Sequence, residues 1–172
     1  PKVVVDVNAD GWADTINNYD LLETDNGFAV VWSRAGGTSA AQLFDMNGVA
    51  QSDVSLISSA FDFNSENWAE NRLSHLLKAH PPEFLKTSDT TASIVFPIFN
   101  AVVIKDFNLD LSSRNTDYAL VPLQEFFHDT SLSVTAHDED LILAYDAYDY
   151  NWPEGNFFDV VVTKLNSQHE KT

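Results

Sequence analysis

Short runs of β-branched and aromatic residues, separated by turn residues, make up most of this chain. Runs of this kind, bounded by Gly, Pro, Asn and Asp, are typical of β-strands. The predicted strands cover residues 2–5, 27–33, 40–44, 118–123, 131–136, 141–148 and 157–165, and residues 92–105 predict either two strands or one bulged edge strand divided at Pro97. The last three strands follow one another closely and predict a three-stranded meander.

One stretch has a helical period instead. Ala69, Leu73 and Leu76 recur at helical spacing, and Pro81-Pro82 ends the pattern, so an amphipathic helix is expected near residues 65–79. The predicted fold class is therefore mainly β, built as antiparallel β-propeller-like blades or as a β-sandwich, with this one helix. At 172 residues, a single β-rich domain spanning residues 1–172 is expected. The start at Pro1 indicates a processed piece or a subunit of a larger protein.

Composition favours a folded protein that is secreted or attached to a cell surface. Hydrophobic residues make up 44% of the chain, which is enough for a core. Cysteine is absent, which excludes disulfides and thiolate metal sites and leaves calcium as a means of stabilising an extracellular chain. The 26 Asp and Glu against 9 Lys and Arg give a net charge of -17, which disfavours nucleic-acid binding. No apolar run approaches the roughly 20 residues of a membrane helix, so no membrane insertion is expected.

Residues 6–14 carry oxygen-bearing groups at the spacing that a cation loop requires. The predicted ligands are the side chains of Asp6, Asn8, Asp10 and Asp14 and the backbone carbonyl of Trp12. Gly11 permits the sharp turn between them, and oxygen ligands of this kind favour calcium. The twelfth position is Asn17, where an EF-hand has a bidentate glutamate, so the loop is not an EF-hand. The alternative interpretation is a solvated turn rich in Asp and Asn.

This loop resembles the D-x-[DN]-x-D-G-x-x-D loop of FG-GAP and related calcium-binding propeller repeats. A second resemblance lies in DNGFAVVW at residues 25–32 and AQLFDMNG at residues 41–48, which are similar to a repeat of large bacterial surface proteins and RTX-type adhesins. Together the resemblances imply calcium-binding, propeller-like repeats of a surface protein. Further D-x-N sequences begin at residues 62, 106 and 149, and their irregular spacing weakens the prediction of an internal repeat.

The acidic loop between the last two predicted strands is a second candidate metal site. No Lys or Arg occurs from residue 115 to residue 163, and clustered carboxylates raise one another's pKa unless a cation intervenes. The candidate ligands are Asp146, Asp149, Asn151, Glu154 and Asp159. Acids that only face water are the alternative. Tyr150 and Trp152 lie inside the same loop and are the candidate ligand-binding residues, because aromatic rings stack on sugars and contact peptides.

The predicted function is a calcium-stabilised extracellular binding or adhesion module that recognises carbohydrate or peptide. Catalysis is not favoured, because the chain has no Gly-x-Ser-x-Gly elbow, P-loop or dinucleotide motif. The main alternative is a structural subunit of a surface or filament, which self-associates through its sheet edges or faces. A carbohydrate-active enzyme or its accessory chain is a third hypothesis, since paired carboxylates can hydrolyse glycosidic bonds.

Overall fold

The computed structural model describes residues 16–34, 39–58, 82–98, 101–112, 118–123, 132–148 and 158–172. These ranges contain β-strands and no helix, which confirms the mainly β prediction. The strands are β1 (Ile16–Thr24), β2 (Gly27–Arg34), β3 (Ser39–Asp45), β4 (Ser55–Ser58), β5 (Glu83–Lys86), β6 (Thr91–Ile98), β7 (Ala101–Asn108), β8 (Ala119–Pro122), β9 (Leu132–His137), β10 (Asp140–Tyr148) and β11 (Phe158–Leu165). The strand predicted at residues 2–5 and the helix predicted near residues 65–79 lie outside the described ranges.

The strands form three antiparallel sheets, each a meander of consecutive strands. Sheet A has the order β1-β2-β3-β4, sheet B the order β5-β6-β7-β8, and sheet C the order β9-β10-β11. Short connections suffice between antiparallel neighbours, which explains why each sheet comes from one continuous part of the sequence. The predicted final meander is sheet C. The stretch at residues 92–105 forms the two strands β6 and β7, and Pro97 pairs with Val102 near the end of β6.

Sheet B is covered on both faces, by sheet A on one side and by sheet C on the other. We call the face of a sheet that looks toward the preceding sheet in the chain its front face, and the opposite face its rear face. The rear of sheet A packs on the front of sheet B in one hydrophobic core, which includes Val31 and Ile94. The rear of sheet B packs on the front of sheet C in a second core, which includes Ile104 and Leu143. Burial of these two apolar faces is the main force that stacks the sheets.

The alternation of side chains along each strand decides which residues enter which core. In β6, Ile94 belongs to the core with sheet A, and its neighbour Val95 belongs to the core with sheet C. Successive side chains of a strand point to opposite faces, so a strand buried on both sides is apolar throughout. Both residues are 0% exposed, which explains why residues 94–98 form a continuous apolar run.

The sheets approach one another most closely at their first strands. β1 lies beside β5, and β5 lies beside β9. The side chain of Asn18 in β1 donates a hydrogen bond of 2.8 Å to the carbonyl oxygen of Pro82, which directly precedes β5. β1 and β5 therefore begin at the same end of the molecule, and the three first strands lie in sequence beside one another.

Candidate functional site

Three turns lie together at one end of the sheets, which we call the turn end. The β1–β2 turn at residues 25–26 and the β5–β6 turn at residues 87–90 border one cleft. The β5–β6 turn and the β9–β10 turn at residues 138–139 border a second cleft. The first strand of each sheet begins at the opposite end, which we call the entry end.

The cleft between sheets A and B, which we call the A–B groove, has a volume of about 690 Å³. Its polar lining consists of carboxylate, amide and hydroxyl side chains from Thr24, Asp25, Asn26, Gln51, Asp89, Thr90, Asn108 and Asp110. Its apolar side-chain lining comes from Leu43 and Leu109. A concave site that combines apolar surface with a few convergent polar groups is the usual form of a ligand pocket.

The A–B groove is strongly acidic. The lining carboxylates are Asp25, Asp89 and Asp110, and no Lys or Arg is among the described lining residues. The pKa of Asp110 is held below its usual value by hydrogen bonds from the side chain and then the backbone N–H of Ser112, at 2.6 and 2.8 Å. Asp89 forms an ion pair with the Lys86 ammonium at 3.8 Å, and because the Asp89 side chain is exposed this pair contributes little. The groove therefore presents negative charge to a ligand at neutral pH.

The β5–β6 turn that borders both clefts is fixed by its own hydrogen bonds. The hydroxyl of Ser88 accepts from the backbone N–H groups of Thr90 and Thr91, at 3.2 and 3.1 Å. The carbonyl oxygen of Thr90 accepts from the N–H of Leu109 at 2.9 Å, which ties this turn to the end of β7. The polar groups of the turn are thus held in place before any ligand binds.

The cleft between sheets B and C is smaller, at about 230 Å³, and contains a Ser–Asp–His group. Ser93, which is buried, donates a hydrogen bond of 2.6 Å to Asp106, and the imidazole of His169 lies 3.4 Å from the same carboxylate oxygen. The Ser93 proton goes to the carboxylate and not to the imidazole. The group therefore lacks the contact between nucleophile and base that activates serine in hydrolases. The contact between His169 and Asp106 joins the segment after β11 to sheet B.

The structure tests little of the predicted metal and ligand sites. Residues 6–14, which include all five predicted calcium ligands, lie outside the described ranges. So do Asp149, Asn151 and Glu154 of the second candidate metal site, and the aromatic pair Tyr150 and Trp152. Asp146 lies in β10 opposite Val160 of β11, and Asp159 pairs with Ala147. Asp146 and Asp159 are therefore one position apart in the register and do not pair directly across the two strands.

Of the D-x-N sequences, the one at residues 106–108 ends β7, the third strand of sheet B. Those at residues 62 and 149 lie outside the described ranges. Within the described ranges, no group of three or more His, Asp or Glu side chains is placed to hold a metal ion.

The residues of the A–B groove were not among the predicted site residues. Asp25 with Asn26, and Asp110, each have the local pattern of an ordinary turn. Nothing in either pattern shows that the two turns lie at the same end of neighbouring sheets. The stacking of sheets A and B brings them together, and local sequence contains no signal for that stacking.

Comparison with known proteins identified no relative of this chain. No protein-family model, curated protein or solved structure matches this chain. In the part of the chain that the structure describes, no helix is long and apolar enough to cross a membrane. Function must therefore be argued from the sheets and clefts themselves.

Proposed function

We propose that this chain is a calcium-stabilised extracellular module that binds carbohydrate or peptide, with the A–B groove as its ligand site. The observation that carries the proposal is the groove itself: about 690 Å³, lined by convergent carboxylate, amide and hydroxyl groups beside apolar side chains. Two of its lining side chains are anchored by local hydrogen bonds: the Asp110 carboxylate accepts from the hydroxyl and N–H of Ser112, and the Asn108 amide donates to the Ser112 hydroxyl. Anchored polar groups lower the entropy cost of binding.

The charge of the groove favours one of the two ligand classes. Asp25, Asp89 and Asp110 attract positive charge, and the net charge of -17 extends the negative potential around the molecule. A peptide with Lys or Arg side chains would gain from this field. A neutral sugar would depend on hydrogen bonds alone, because no aromatic side chain among the described lining residues faces the groove: Phe44 stacks on Phe28 on the other face of sheet A. We therefore favour a basic peptide over a carbohydrate in this groove.

The proposed architecture is a set of propeller-like blades. Each sheet is a meander in chain order, the sheets stack face to face, and successive first strands lie beside one another. Blades arranged around an axis have these three properties, with their first strands innermost. A sandwich has two sheets with one core between them, whereas sheet B has a core on each face.

The proposed calcium loop directly precedes β1, which starts at Ile16 at the entry end. The chain also leaves β10 at this end, immediately before Asp149 and the predicted aromatic residues Tyr150 and Trp152. We propose that calcium bound by residues 6–14 stabilises the start of β1. The ligand groove and the calcium loop would then lie at opposite ends of the sheets.

Ligand binding is tested with arrays of glycans and of basic and neutral peptides in the presence of calcium. The double variant Asp25→Asn/Asp110→Asn is expected to reduce binding of a basic peptide at least about tenfold, because two carboxylates contribute directly. Asp53→Asn, an exposed acid outside the groove, is the matched control. If Trp152→Ala abolishes binding while the groove variant leaves it intact, the ligand site is at the entry end and the groove assignment is wrong.

Calcium binding is tested by calorimetric titration and by thermal unfolding with and without a chelator. Chelation is expected to lower the melting temperature of the wild type and to leave that of Asp10→Ala unchanged, because the variant has already lost the site. Asp53→Ala should respond to chelation as the wild type does. A wild type with the same melting temperature in calcium and in chelator would contradict the proposed site.

A further inference from the structure

The turns at the turn end form a row that crosses all three sheets. The β1–β2 turn borders the A–B groove, the β9–β10 turn borders the cleft between sheets B and C, and the β5–β6 turn lies between them and borders both. Thr90 of the β5–β6 turn lines both clefts. A ligand in the A–B groove therefore has the second cleft, which we call the B–C cleft, as its immediate neighbour.

The B–C cleft has the same chemical character as the A–B groove. Hydroxyl groups of Ser and Thr make up much of its lining, together with the carboxylates of Asp106 and Glu139 and the imidazole of His169. No Lys or Arg is among its described lining residues. Carboxylates and hydroxyls accept hydrogen bonds, and those to a carboxylate from Lys or Arg are the stronger ones. The B–C cleft therefore suits a basic side chain, as the groove does.

Of the two carboxylates in the B–C cleft, Glu139 is the one that we assign to ligand contact. Ser93 and His169 already contact Oδ1 of Asp106, at 2.6 and 3.4 Å. Glu139 lies in the exposed β9–β10 turn, and no ion pair with another described residue involves it. Its charge is therefore accessible to a ligand that enters the cleft from solvent.

The size of the B–C cleft and its distance from the groove define the ligand further. Its volume of about 230 Å³ is below the roughly 300–1,000 Å³ of pockets that hold a whole small molecule, so it suits a single side chain. Face-to-face sheets pack about 10 Å apart, which sets the approximate distance between the two clefts. A peptide in polyproline II conformation rises about 3.1 Å per residue with three residues per turn. Its side chains at positions i and i+3 point the same way, about 9 Å apart.

We propose that the B–C cleft is a second subsite for the basic peptide of the A–B groove, and that this peptide carries Lys or Arg at positions i and i+3. One basic side chain occupies the groove, the peptide crosses the β5–β6 turn at Thr90, and the other basic side chain enters the B–C cleft beside Glu139. Hydrogen bonds within the β5–β6 turn fix the element that separates the two subsites. The spacing of the basic residues is then a basis of specificity. The inference rests on the proposed function and specifies which basic peptides the groove selects.

The test is an NMR titration of the wild-type protein, with calcium present, by three synthetic peptides with blocked ends. The first is Lys-Pro-Pro-Lys, which favours polyproline II. The second, Lys-Lys-Pro-Pro, has the same composition and charge but adjacent Lys residues, and the third, Lys-Pro-Pro-Gln, has a single Lys. We expect the first peptide to bind about threefold more tightly than either of the others, because it alone places a Lys in each cleft and gains one further ion pair.

A pair of variants in one turn separates the second subsite from general charge attraction. Glu139→Gln is expected to abolish the preference for Lys-Pro-Pro-Lys over Lys-Lys-Pro-Pro. Asp138→Asn is the matched control and should keep that preference, because it removes one charge from the same turn, its side chain is 89% exposed, and it is not among the lining residues of the cleft. The two variants should bind Lys-Pro-Pro-Gln equally well.

Equal binding of the two peptides with two Lys residues by the wild type would overturn the second subsite. A preference that survives Glu139→Gln would do the same. In either case, loss of peptide binding in Asp25→Asn/Asp110→Asn would still support the groove as the ligand site. A wild type that binds none of the three peptides would also overturn the second subsite, and the array experiment then decides separately whether the groove binds a ligand.

Discussion

At the scale of single residues, Glu83 shows how the contact between first strands affects stability. Its pKa is raised above the usual value, first by partial burial and second by the negative charge of Asp20 on β1. When a carboxyl group has a higher pKa in the folded state than in the unfolded state, its protonation stabilises the fold. This stabilisation is complete below the unfolded-state pKa, near 4.5, and is lost as the pH rises through the folded-state pKa. At neutral pH, the charge of Glu83 is therefore destabilised by its partial burial and by the negative charge of Asp20.

We expect Glu83→Gln to be more stable than the wild type at pH 7, because the amide removes both the desolvation cost and the repulsion by Asp20. The difference should disappear below pH 4.5, where the wild-type carboxyl is protonated. Urea unfolding at both pH values measures it. Glu139→Gln, in an exposed turn, is the control for the loss of one negative charge, and a Glu83→Gln gain that persists in acid would contradict the explanation.

Ser93 and Asp106 form the most buried polar contact of the cleft between sheets B and C. Ser93 is 1% exposed and donates to Asp106 at 2.6 Å. A buried hydroxyl without its acceptor costs about 1–3 kcal/mol, so we expect Asp106→Ala to destabilise the fold by at least that much. In a double-mutant cycle with Ser93→Ala, the coupling energy measured by urea unfolding should be about 1.5–3 kcal/mol, as for hydrogen bonds to charged groups. A coupling energy near zero would show that the hydroxyl has another partner in solution.

At the scale of elements, strands with a regular apolar pattern could be predicted to within a residue or two. The predictions at residues 27–33 and 141–148 correspond to Gly27–Arg34 and Asp140–Tyr148. β1, Ile16–Thr24, was not predicted, because most of its residues are polar and its burial depends on Leu22 packing against sheet B. β5 has only four residues, Glu83–Lys86, and depends in the same way on Phe84. Local sequence does not contain these tertiary contacts.

The candidate site was less predictable than the strands, for a geometric reason. Asp89 and Asp110 come together where β6 pairs with the end of β7 in sheet B, and the stacking of sheet A on sheet B brings Asp25 to the same groove.

The β9–β10 turn carries backbone strain that a single substitution can relieve. Asp138 and Glu139 have φ angles of 52° and 69°, and a two-residue hairpin turn with both residues in this region is of type I′, which favours Asn-Gly. The left-handed conformation costs a residue such as Glu about 1–2 kcal/mol, whereas glycine adopts it freely at some cost in chain entropy. We expect Glu139→Gly to stabilise the protein by about 0.5–1 kcal/mol in urea unfolding. Glu139→Ala, which keeps the Cβ atom, is the control and should give no gain.

At the scale of the whole molecule, the stacked sheets hold a large excess of negative charge. Within the described ranges, Lys86 pairs with Asp89 at 3.8 Å and Lys164 with Asp140 at 2.7 Å, and both pairs are partly exposed. The net charge of -17 is far greater than such pairs can balance. Self-repulsion of this kind disfavours the compact state.

Added salt should therefore stabilise this protein, through screening that is independent of any specific site. Increasing NaCl from about 0.05 to 0.5 M shortens the range of charge repulsion from more than 10 Å to a few Å. We expect a rise of a few degrees in melting temperature, equivalent to about 1 kcal/mol for a domain of this size. Choline chloride should act as NaCl does, because screening depends on ionic strength and not on the cation.

Millimolar calcium adds little ionic strength, so a larger rise in melting temperature with calcium than with NaCl of equal ionic strength would come from bound ions. The variant Asp10→Ala should lose that calcium increment and keep the NaCl response. A melting temperature that does not change with NaCl would show that the negative charges are already neutralised within the folded chain.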